Sequence, residues 1–240
     1  MLFRSVRIKR KFSEQAGICG ESYAVNSRTT QEELLSLIQG LNANPEVHGV
    51  LVQHPLPKHL DELKALEALG PEKDVDGITP QSLGRLVAGL PGFRCATPQG
   101  ILRLLDYYGI AIEGRHALII GRSNILGKPA ALMLLQRNAT VTIAHSRTVN
   151  LPELCRSADI LVAAVGKPEF VQGDWIKPGA VIVDAGYNKV EGRAGDVGDV
   201  QFESASPIVS WITPVPGGVG PMTVASLLSN AVDAAEAASR

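Results

Sequence analysis

The feature that constrains the fold most is a strand, a glycine turn and a helix in immediate succession around residue 121. An apolar run at 117–120 precedes the segment GRSNILGKP (121–129), and a second apolar run follows it. The predicted strands of this half are 117–121, 139–144, 160–165 and 180–184, and the helices between them are 128–137 and 151–156. Alternation of this kind requires parallel strands joined by crossovers, and it predicts a doubly wound, Rossmann-like α/β domain.

The glycine turn is a candidate dinucleotide loop. Gly121 would end the strand in a tight turn, Gly127 would let the helix approach closely, and the N–H groups of residues 123–128 would face an anionic diphosphate. The spacing Gly121, Ser123, Gly127 differs from the usual G-x-G-x-x-G pattern, and glycine also occurs in ordinary strand-to-helix turns. The motif alone leaves both interpretations open.

The end of the next strand indicates which dinucleotide would bind. NAD enzymes place an Asp or Glu there, where the carboxylate binds the ribose 2′-hydroxyl. This chain instead has His145, Ser146, Arg147 and Thr148, and Arg122 of the glycine turn would lie beside them. Two cations and a hydroxyl suit a 2′-phosphate, which an acid would repel. The pattern favours NADP over NAD, and ordinary solvated strand-end residues are the alternative.

Composition and charge exclude several classes of protein. The chain is 45% apolar and 20% charged with a net charge of −1, which is typical of a globular protein with no field to attract nucleic acid or a membrane. Its apolar runs are too short to span a bilayer. The three cysteines form no C-x-x-C pair, which indicates reduced thiols and no metal site. We therefore expect a cytoplasmic protein with no metal, nucleic-acid or membrane partner.

The first half and the C-terminus predict a second α/β domain. A capping box at Thr30 and Glu33 begins a helix with an apolar face. The other predictions are a buried strand at 48–53, a helix at 60–69, a loop-rich stretch up to Thr97, a helix at 98–108 with Thr97 as its N-cap, and a last helix at about 221–238. We expect residues 1–95 and 221–240 to form one domain, completed by the C-terminal helix, and residues 96–220 the other.

Three stretches outside the nucleotide unit have unusual composition. GVLVQHPLP places the amide of Gln53 at the end of a buried strand, KDVDG places Asp74 and Asp76 on one loop, and ITPVPGGVGPMT (212–223) is rich in glycine and proline. Each has a purely structural explanation when read singly: a satisfied amide, a turn-forming acid and a rigid loop.

Taken together, seven segments resemble a known family. They are similar, in order and spacing, to the successive signature segments of bifunctional methylenetetrahydrofolate dehydrogenase/cyclohydrolases, from about residue 6 to the C-terminus. The segments are GVLVQHPLP, EKDVDGITP, ATPQGILRLL, GRSNILGKP, NATVTIAHSRT, ADILVAAVGKPEF and ITPVPGGVGPMTVASLL. The family's NADP loop has the same G-x-S-x-x-x-G form, so the resemblance implies that the glycine turn binds NADP.

The resemblance also implies the reaction and the residues that perform it. The expected activity is oxidation of 5,10-methylenetetrahydrofolate by NADP, followed by hydrolysis of the methenyl product to 10-formyltetrahydrofolate, as in one-carbon metabolism and purine biosynthesis. The family's catalytic lysine, glutamine and second aspartate correspond to Lys9, Gln53 and Asp76. Residues expected to contact the folate are Ser5, Pro55, Gly217, Gly218 and Pro221. Family membership further implies a homodimer.

The N-terminal segment departs from the family pattern. Ser5 stands where the family has a tyrosine, and a serine cannot stack on a ring. The chain also begins several dozen residues later than family members, and the basic start MLFRSVRIKRKFS could be read as a transit peptide. We expect instead a misassigned start followed by the catalytic helix, because VRIKRKFSEQAGI aligns with that helix.

Two alternatives to the enzyme remain open at this point. One is a degenerate homologue that binds folate or NADP without turnover, which the departures at the N-terminus would favour. The other is a different Rossmann-type dehydrogenase, which would need its own acid/base pair, and the sequence presents no second constellation of that kind.

Overall fold

The computed structural model describes residues 2–193 and 195–239, with side chains from residue 6 onward. It divides the chain into two compact units, Met1–Ala96 with Val224–Arg240 and Thr97–Thr223, called unit 1 and unit 2 below. The helices are α1 Leu2–Gln15, α2 Gln31–Ala43, α3 Glu62–Ala68, α4 Pro80–Val87, α5 Ala96–Tyr107, α6 Gly127–Gln136, α7 Leu151–Ser157, α8 Phe202–Ala205 and α9 Val219–Ala238. The strands are β1 His116–Ile120, β2 Thr140–Ala144, β3 Ile160–Ala163, β4 Val181–Asp184, β5 Asn188–Lys189, β6 Asp196–Val197 and β7 Trp211–Ile212.

Unit 2 contains a parallel sheet with a doubly wound order. Among the residues that the structure describes, its five strands follow the order β2-β1-β3-β4-β7, and all the pairs are parallel. The strand order reverses between β1 and β3, which makes the carboxyl ends of these two strands the place where an open α/β sheet binds its ligand. The predicted fold class is confirmed, and the glycine turn follows β1 at this point.

The core of unit 2 explains why these short runs form strands. Leu118, Leu161 and Ile182 are fully buried, and the four residues of β3 are buried on both faces of the sheet. Continuous apolar runs are typical of parallel strands covered by helices on both sides. Each buried Leu or Ile contributes about 1.5–3 kcal/mol relative to exposure, so the sheet is stabilised mainly by these central side chains.

Unit 1 is built from helices around a smaller apolar cluster. The cluster includes Leu34 and Ile38 of α2 and Leu66 of α3. The predicted capping box is confirmed: the Thr30 hydroxyl accepts a hydrogen bond from the Glu33 N–H at 3.2 Å, and the Glu33 carboxylate accepts one from the Thr30 N–H at 2.8 Å. Leu227 and Ala234 of α9 pack with Val75, Ala96 and their neighbours in a further cluster of the same unit.

Three predictions for secondary structure are wrong. The strand at 48–53 is reduced to one parallel bridge between Val50 and Asp74, because no longer partner strand lies beside it in the described residues. The stretch after KDVDG is not entirely loop, since Thr79 caps helix α4 and Pro80 occupies its first position. Thr97 is not an N-cap but lies inside α5, which begins at Ala96.

Within the described residues, none of the helices combines the length and the apolar character needed to cross a membrane. In the same residues, no cluster of three or more His, Cys, Asp and Glu side chains could hold a metal ion.

Candidate active site

Lys9 and Gln53 meet in unit 1, although 44 positions separate them in the sequence. The ammonium group of Lys9, on α1, donates a hydrogen bond to Gln53 Oε1 at 3.1 Å. The other end of the amide is also engaged, since Gln53 Nε2 donates to the backbone oxygen of His54 at 3.1 Å. This second bond orients the amide so that its oxygen, an acceptor without charge, faces the lysine.

The environment of Lys9 lowers the pKa of its amine. Burial is the main cause, because it penalises the charged form, and the negative charge of Asp76 partly opposes the effect. A neutral amide as the hydrogen-bond partner adds no charge that would restore the pKa. The lowered pKa makes the neutral form of the amine more accessible than in an ordinary solvated lysine, which is what a group that accepts and donates a proton requires.

Asp76 is the carboxylate whose charge acts on the pKa of Lys9. Burial raises the pKa of Asp76, the charge of Lys9 lowers it, and the nearby Asp74 raises it further. The two groups thus sit in a half-buried site where each influences the protonation of the other.

The loop that carries Asp76 is fixed by buried hydrogen bonds. Asp74 Oδ2 accepts from the Thr79 N–H at 2.8 Å, and the Asp76 backbone oxygen accepts from the Ala96 N–H at 3.2 Å. Asn230 of α9, which is 2% exposed, donates to the Val75 oxygen at 2.8 Å. A side chain from the C-terminal helix therefore holds the backbone between the two aspartates.

The glycine turn in unit 2 is closed by Ser123. Its hydroxyl accepts from the N–H groups of Leu126 and Gly127 at 3.2 and 3.3 Å, and its backbone oxygen accepts from the Lys128 N–H at 3.0 Å. These three N–H groups were expected to face a diphosphate, but in this structure Ser123 engages them. Residues 123–125 present the remaining N–H groups of the predicted set.

Both glycines of the turn are required by close backbone approach. A Cβ on Gly127 would lie 2.3 Å from the Gly121 oxygen, and one on Gly121, whose φ is +138°, would lie 2.4 Å from the Ala164 oxygen. The loop that follows β3 thus contacts the glycine turn directly. Neither position can therefore carry a side chain without moving the backbone at the switch point of the sheet.

The segment after β2 folds into a tight turn that exposes its arginine. The His145 N–H donates to Thr148 Oγ1 at 2.8 Å, the Thr148 N–H donates to the His145 oxygen at 2.8 Å, and the Arg147 N–H donates to His145 Nδ1 at 3.2 Å. Ser146, Arg147 and Arg122 are exposed. Among the described side chains, neither arginine forms an ion pair, so both are available to an anion.

The residues expected to contact folate lie in separate segments. Pro55 is exposed and follows His54 through a cis peptide bond in unit 1. Gly217, with φ +110°, and Gly218 precede α9, and Pro221 lies in the first turn of that helix. Ser5 belongs to the helical backbone of α1, and its side chain lies outside the described part of the structure.

Sequence reasoning missed two buried carboxylates in unit 2. Asp184, at the end of β4, accepts hydrogen bonds from the backbone N–H groups of Gly186, Asp199 and Val200. Burial raises the pKa of Asp184 to about 6. Asp199 is fully buried and accepts three consecutive backbone N–H groups of the loop after β3. For Asp199 the signal was the repeated acid in GDVGDV, which is typical of a turn.

A half-buried lysine held by an amide in one unit and a glycine turn at the switch point of a parallel sheet in the other define a class of protein. They are the parts of a dinucleotide-linked enzyme with a separate proton-transfer centre.

Comparison with known proteins identifies the family. Residues 5–76 match the profile of the tetrahydrofolate dehydrogenase/cyclohydrolase catalytic domain, and residues 95–239 match that of the corresponding NAD(P)-binding domain. The chain is 55% identical over 230 residues to the bifunctional protein FolD of Moorella thermoacetica, covering 96% of this chain and 82% of that protein. The chain belongs to the tetrahydrofolate dehydrogenase/cyclohydrolase family.

Solved structures agree with this assignment. The bifunctional methylenetetrahydrofolate dehydrogenase/cyclohydrolase FolD of Campylobacter jejuni superimposes with a TM-score of 0.94 at 46% identity, covering 96% of this chain and 82% of that one. The dehydrogenase-cyclohydrolase of Trypanosoma brucei, solved with NADP and an inhibitor, gives 0.93 at 36% identity, covering 99% of this chain and 83% of that one.

Proposed function

We propose that the chain oxidises 5,10-methylenetetrahydrofolate with NADP and then hydrolyses the 5,10-methenyl product to 10-formyltetrahydrofolate. The observation that carries the proposal is the hydrogen bond of 3.1 Å between Lys9 and Gln53, in a site that lowers the pKa of the lysine. Family membership supplies the substrate class, and the geometry supplies a group able to move the proton that hydrolysis requires.

Lys9 acts in the hydrolytic step. Its neutral amine accepts a proton from the water whose oxygen forms a bond to the methenyl carbon. When the bond between that carbon and N5 breaks, the ammonium returns the proton to N5, and the remaining hydroxyl proton passes to solvent as the formyl C=O forms. A group that accepts and then donates in this way works best with a pKa near the working pH, and burial shifts the pKa of Lys9 downward, in that direction.

Gln53 and Asp76 hold the reacting groups in place. The Gln53 amide fixes the direction of the Lys9 amine without adding charge, so the amine can lose its proton. The Asp76 carboxylate accepts hydrogen bonds from the amino-pyrimidine edge of the pterin and thereby orients the ring. Pro55, Gly217, Gly218 and Pro221 are proposed to supply apolar and backbone contacts to the folate.

The residues of unit 2 fit NADP. The turn between Gly121 and Gly127 has no room for side chains at either end, which lets a diphosphate approach the backbone, and Arg122 and Arg147 are exposed cations without partners among the described side chains. When bound, NADP supplies the acceptor for the hydride. Ser146 and Thr148 are proposed to support the 2′-phosphate site beside Arg147.

We further propose a homodimer that works in the cytoplasm. Family membership supports the dimer, and the free thiols of Cys95 and Cys155, both buried, are typical of a reducing compartment. Light scattering of the purified chain at several concentrations tests the dimer, and a monomer at every concentration would contradict it.

An assay of the purified chain with 5,10-methylenetetrahydrofolate and NADP tests the proposed function. NADPH formation and the rise and decay of the methenyl chromophore are followed separately. We expect turnover in both steps. A chain that melts cooperatively and binds NADP but turns over neither substrate would be a binding protein without catalysis, and the proposal would be wrong.

A further inference from the structure

The loop after β3 has a shape imposed by one buried carboxylate. Asp199 Oδ2 accepts from the N–H groups of Val165 and Gly166 at 2.6 and 2.9 Å, and Oδ1 accepts from the Lys167 N–H at 3.0 Å. Asp199 is fully buried, whereas Gly166 and Lys167 are exposed. One carboxyl side chain therefore organises three consecutive backbone groups at the surface of unit 2.

Further hydrogen bonds, with Asn188 and Asp184, fix the position of Asp199 itself. Asn188 Nδ2 donates to Asp199 Oδ1 at 2.8 Å, and the Asp199 N–H donates to Asp184 Oδ1 at 2.9 Å. Space around it is also tight, because a Cβ on Gly186 would lie 2.3 Å from the Asp199 carboxyl. These contacts restrain the Asp199 side chain, so we expect a change in its acceptor geometry to act on the loop.

The same loop forms one side of the glycine turn. The Ala164 N–H donates to the Ile120 oxygen at 2.9 Å, and the Ala164 oxygen lies 2.4 Å from the position that a Cβ of Gly121 would take. Residues 164–167 therefore begin at the carboxyl end of β3, beside β1, where the strand order reverses. A ligand bound at this switch point meets the loop as well as the turn.

From this geometry we propose that Asp199 is a positioning residue for the cofactor: it holds residues 165–167 in the conformation that NADP requires. The proposal rests on the proposed function for the identity of the cofactor. Asp199 acts through the loop and contacts neither NADP nor folate. It belongs to the dehydrogenase step alone, because hydrolysis of the methenyl group consumes no nicotinamide.

Asp199→Asn tests the proposal. All four groups facing the Asp199 side chain are donors, so an amide must direct its own N–H groups at other N–H groups in either orientation. We expect the Kd and KM for NADP to rise by about 10-fold to 100-fold, the range for losing hydrogen bonds to a charged group. The cyclohydrolase rate with methenyltetrahydrofolate, measured without NADP, is expected to stay within about twofold of wild type. The proposed hydrolytic step uses no group of residues 165–167.

A second readout needs no cofactor. Hydrogen–deuterium exchange of the amides of residues 165–167 in the cofactor-free protein is expected to be faster in Asp199→Asn than in the wild type. Asp159→Asn is the matched control, because Asp159 precedes the opposite end of β3 and pairs with Lys177 and the His116 N–H. The control is expected to leave NADP binding unchanged.

If Asp199→Asn does not fold, Asn188→Ala decides the question. It removes one neutral donor to Asp199, together with the bonds from the same amide to the Val197 and Gly198 oxygens, and is expected to weaken NADP binding about 2-fold to 10-fold. Unchanged NADP affinity in the folded variant, or equal weakening in Asp159→Asn, would overturn the proposal. Calorimetric titration of the wild type with NADP separates a failure of this proposal from a failure of the proposed function. Binding of NADP without turnover refutes the proposed function, and the role of Asp199 in NADP binding can still be measured.

Discussion

Replacing Gln53 by glutamate should shift the pH dependence of hydrolysis to higher pH. The substitution keeps the size of the side chain and changes the neutral acceptor 3.1 Å from the Lys9 amine into a charged one, while it loses the hydrogen bond from Gln53 Nε2 to the His54 oxygen. A carboxylate at that distance stabilises the ammonium form of Lys9. Because the proposed base is the neutral amine, the reactive fraction at neutral pH must fall.

The magnitude follows from the distance. Two unit charges 3.1 Å apart interact by about 5 kcal/mol at an effective dielectric constant of about 20. Desolvation of the new carboxylate offsets part of this energy. If about two-thirds is offset, about 1.7 kcal/mol remains, which corresponds to roughly a 10-fold to 20-fold loss of neutral amine.

The assay is the initial rate of methenyltetrahydrofolate hydrolysis as a function of pH. We expect the acid limb of the Gln53→Glu profile to move upward and the rate to recover as the pH is raised, because the amine then loses its proton. Gln53→Met is the control without charge: it removes the hydrogen bond to Lys9 and should lower the rate without moving the acid limb upward.

An acid limb that stays in place, or moves to lower pH, would refute the reasoning. Equal loss of activity at every pH in Gln53→Glu and Gln53→Met would do the same, since it would show that the amide matters for position and not for the charge of its neighbour.

Two further predictions concern the cofactor loop. Gly127→Ala must displace the turn, because its Cβ would lie 2.3 Å from the Gly121 oxygen; we expect a loss of about 1–3 kcal/mol of stability in thermal melts, together with weaker NADP binding. Gly84→Ala, at an open position in α4, is the matched control and should leave both unchanged or raise stability slightly. The double variant Arg122→Gln with Arg147→Gln should raise the KM for NADP about tenfold or more while leaving that for NAD nearly unchanged, and an equal effect on both cofactors would contradict the assignment of the 2′-phosphate site.

Local patterns were sufficient for four of the five strands in the parallel sheet of unit 2. Its central strands are short apolar runs that are buried on both faces, so their composition and the nearby glycines locate them within a few residues. The final strand β7 has only two residues, Trp211 and Ile212, and no periodicity could reveal it. The strand expected at 48–53 depended on a partner strand from elsewhere in the sequence. The β-propensity of the segment itself carries no information about such a partner.

The candidate site shows the same limit. Lys9 has no local feature that separates it from its basic neighbours, and only the family resemblance directed attention to it. Its contact with Gln53 spans 44 positions and arises from tertiary packing. The sequence did not indicate a role for Asp199 for a related reason, because an acid beside glycine is typical of a turn. The structure shows that its carboxylate accepts hydrogen bonds from three backbone N–H groups.

The central claim is that the Lys9 amine moves the proton in hydrolysis. The most direct test is the rate of methenyltetrahydrofolate hydrolysis by Lys9→Met, in a protein shown by thermal melting to be folded and by titration to bind NADP. The account predicts a loss of about 100-fold or more, the range typical of a general acid–base group. A Lys9→Met enzyme that hydrolyses methenyltetrahydrofolate at the wild-type rate would contradict it.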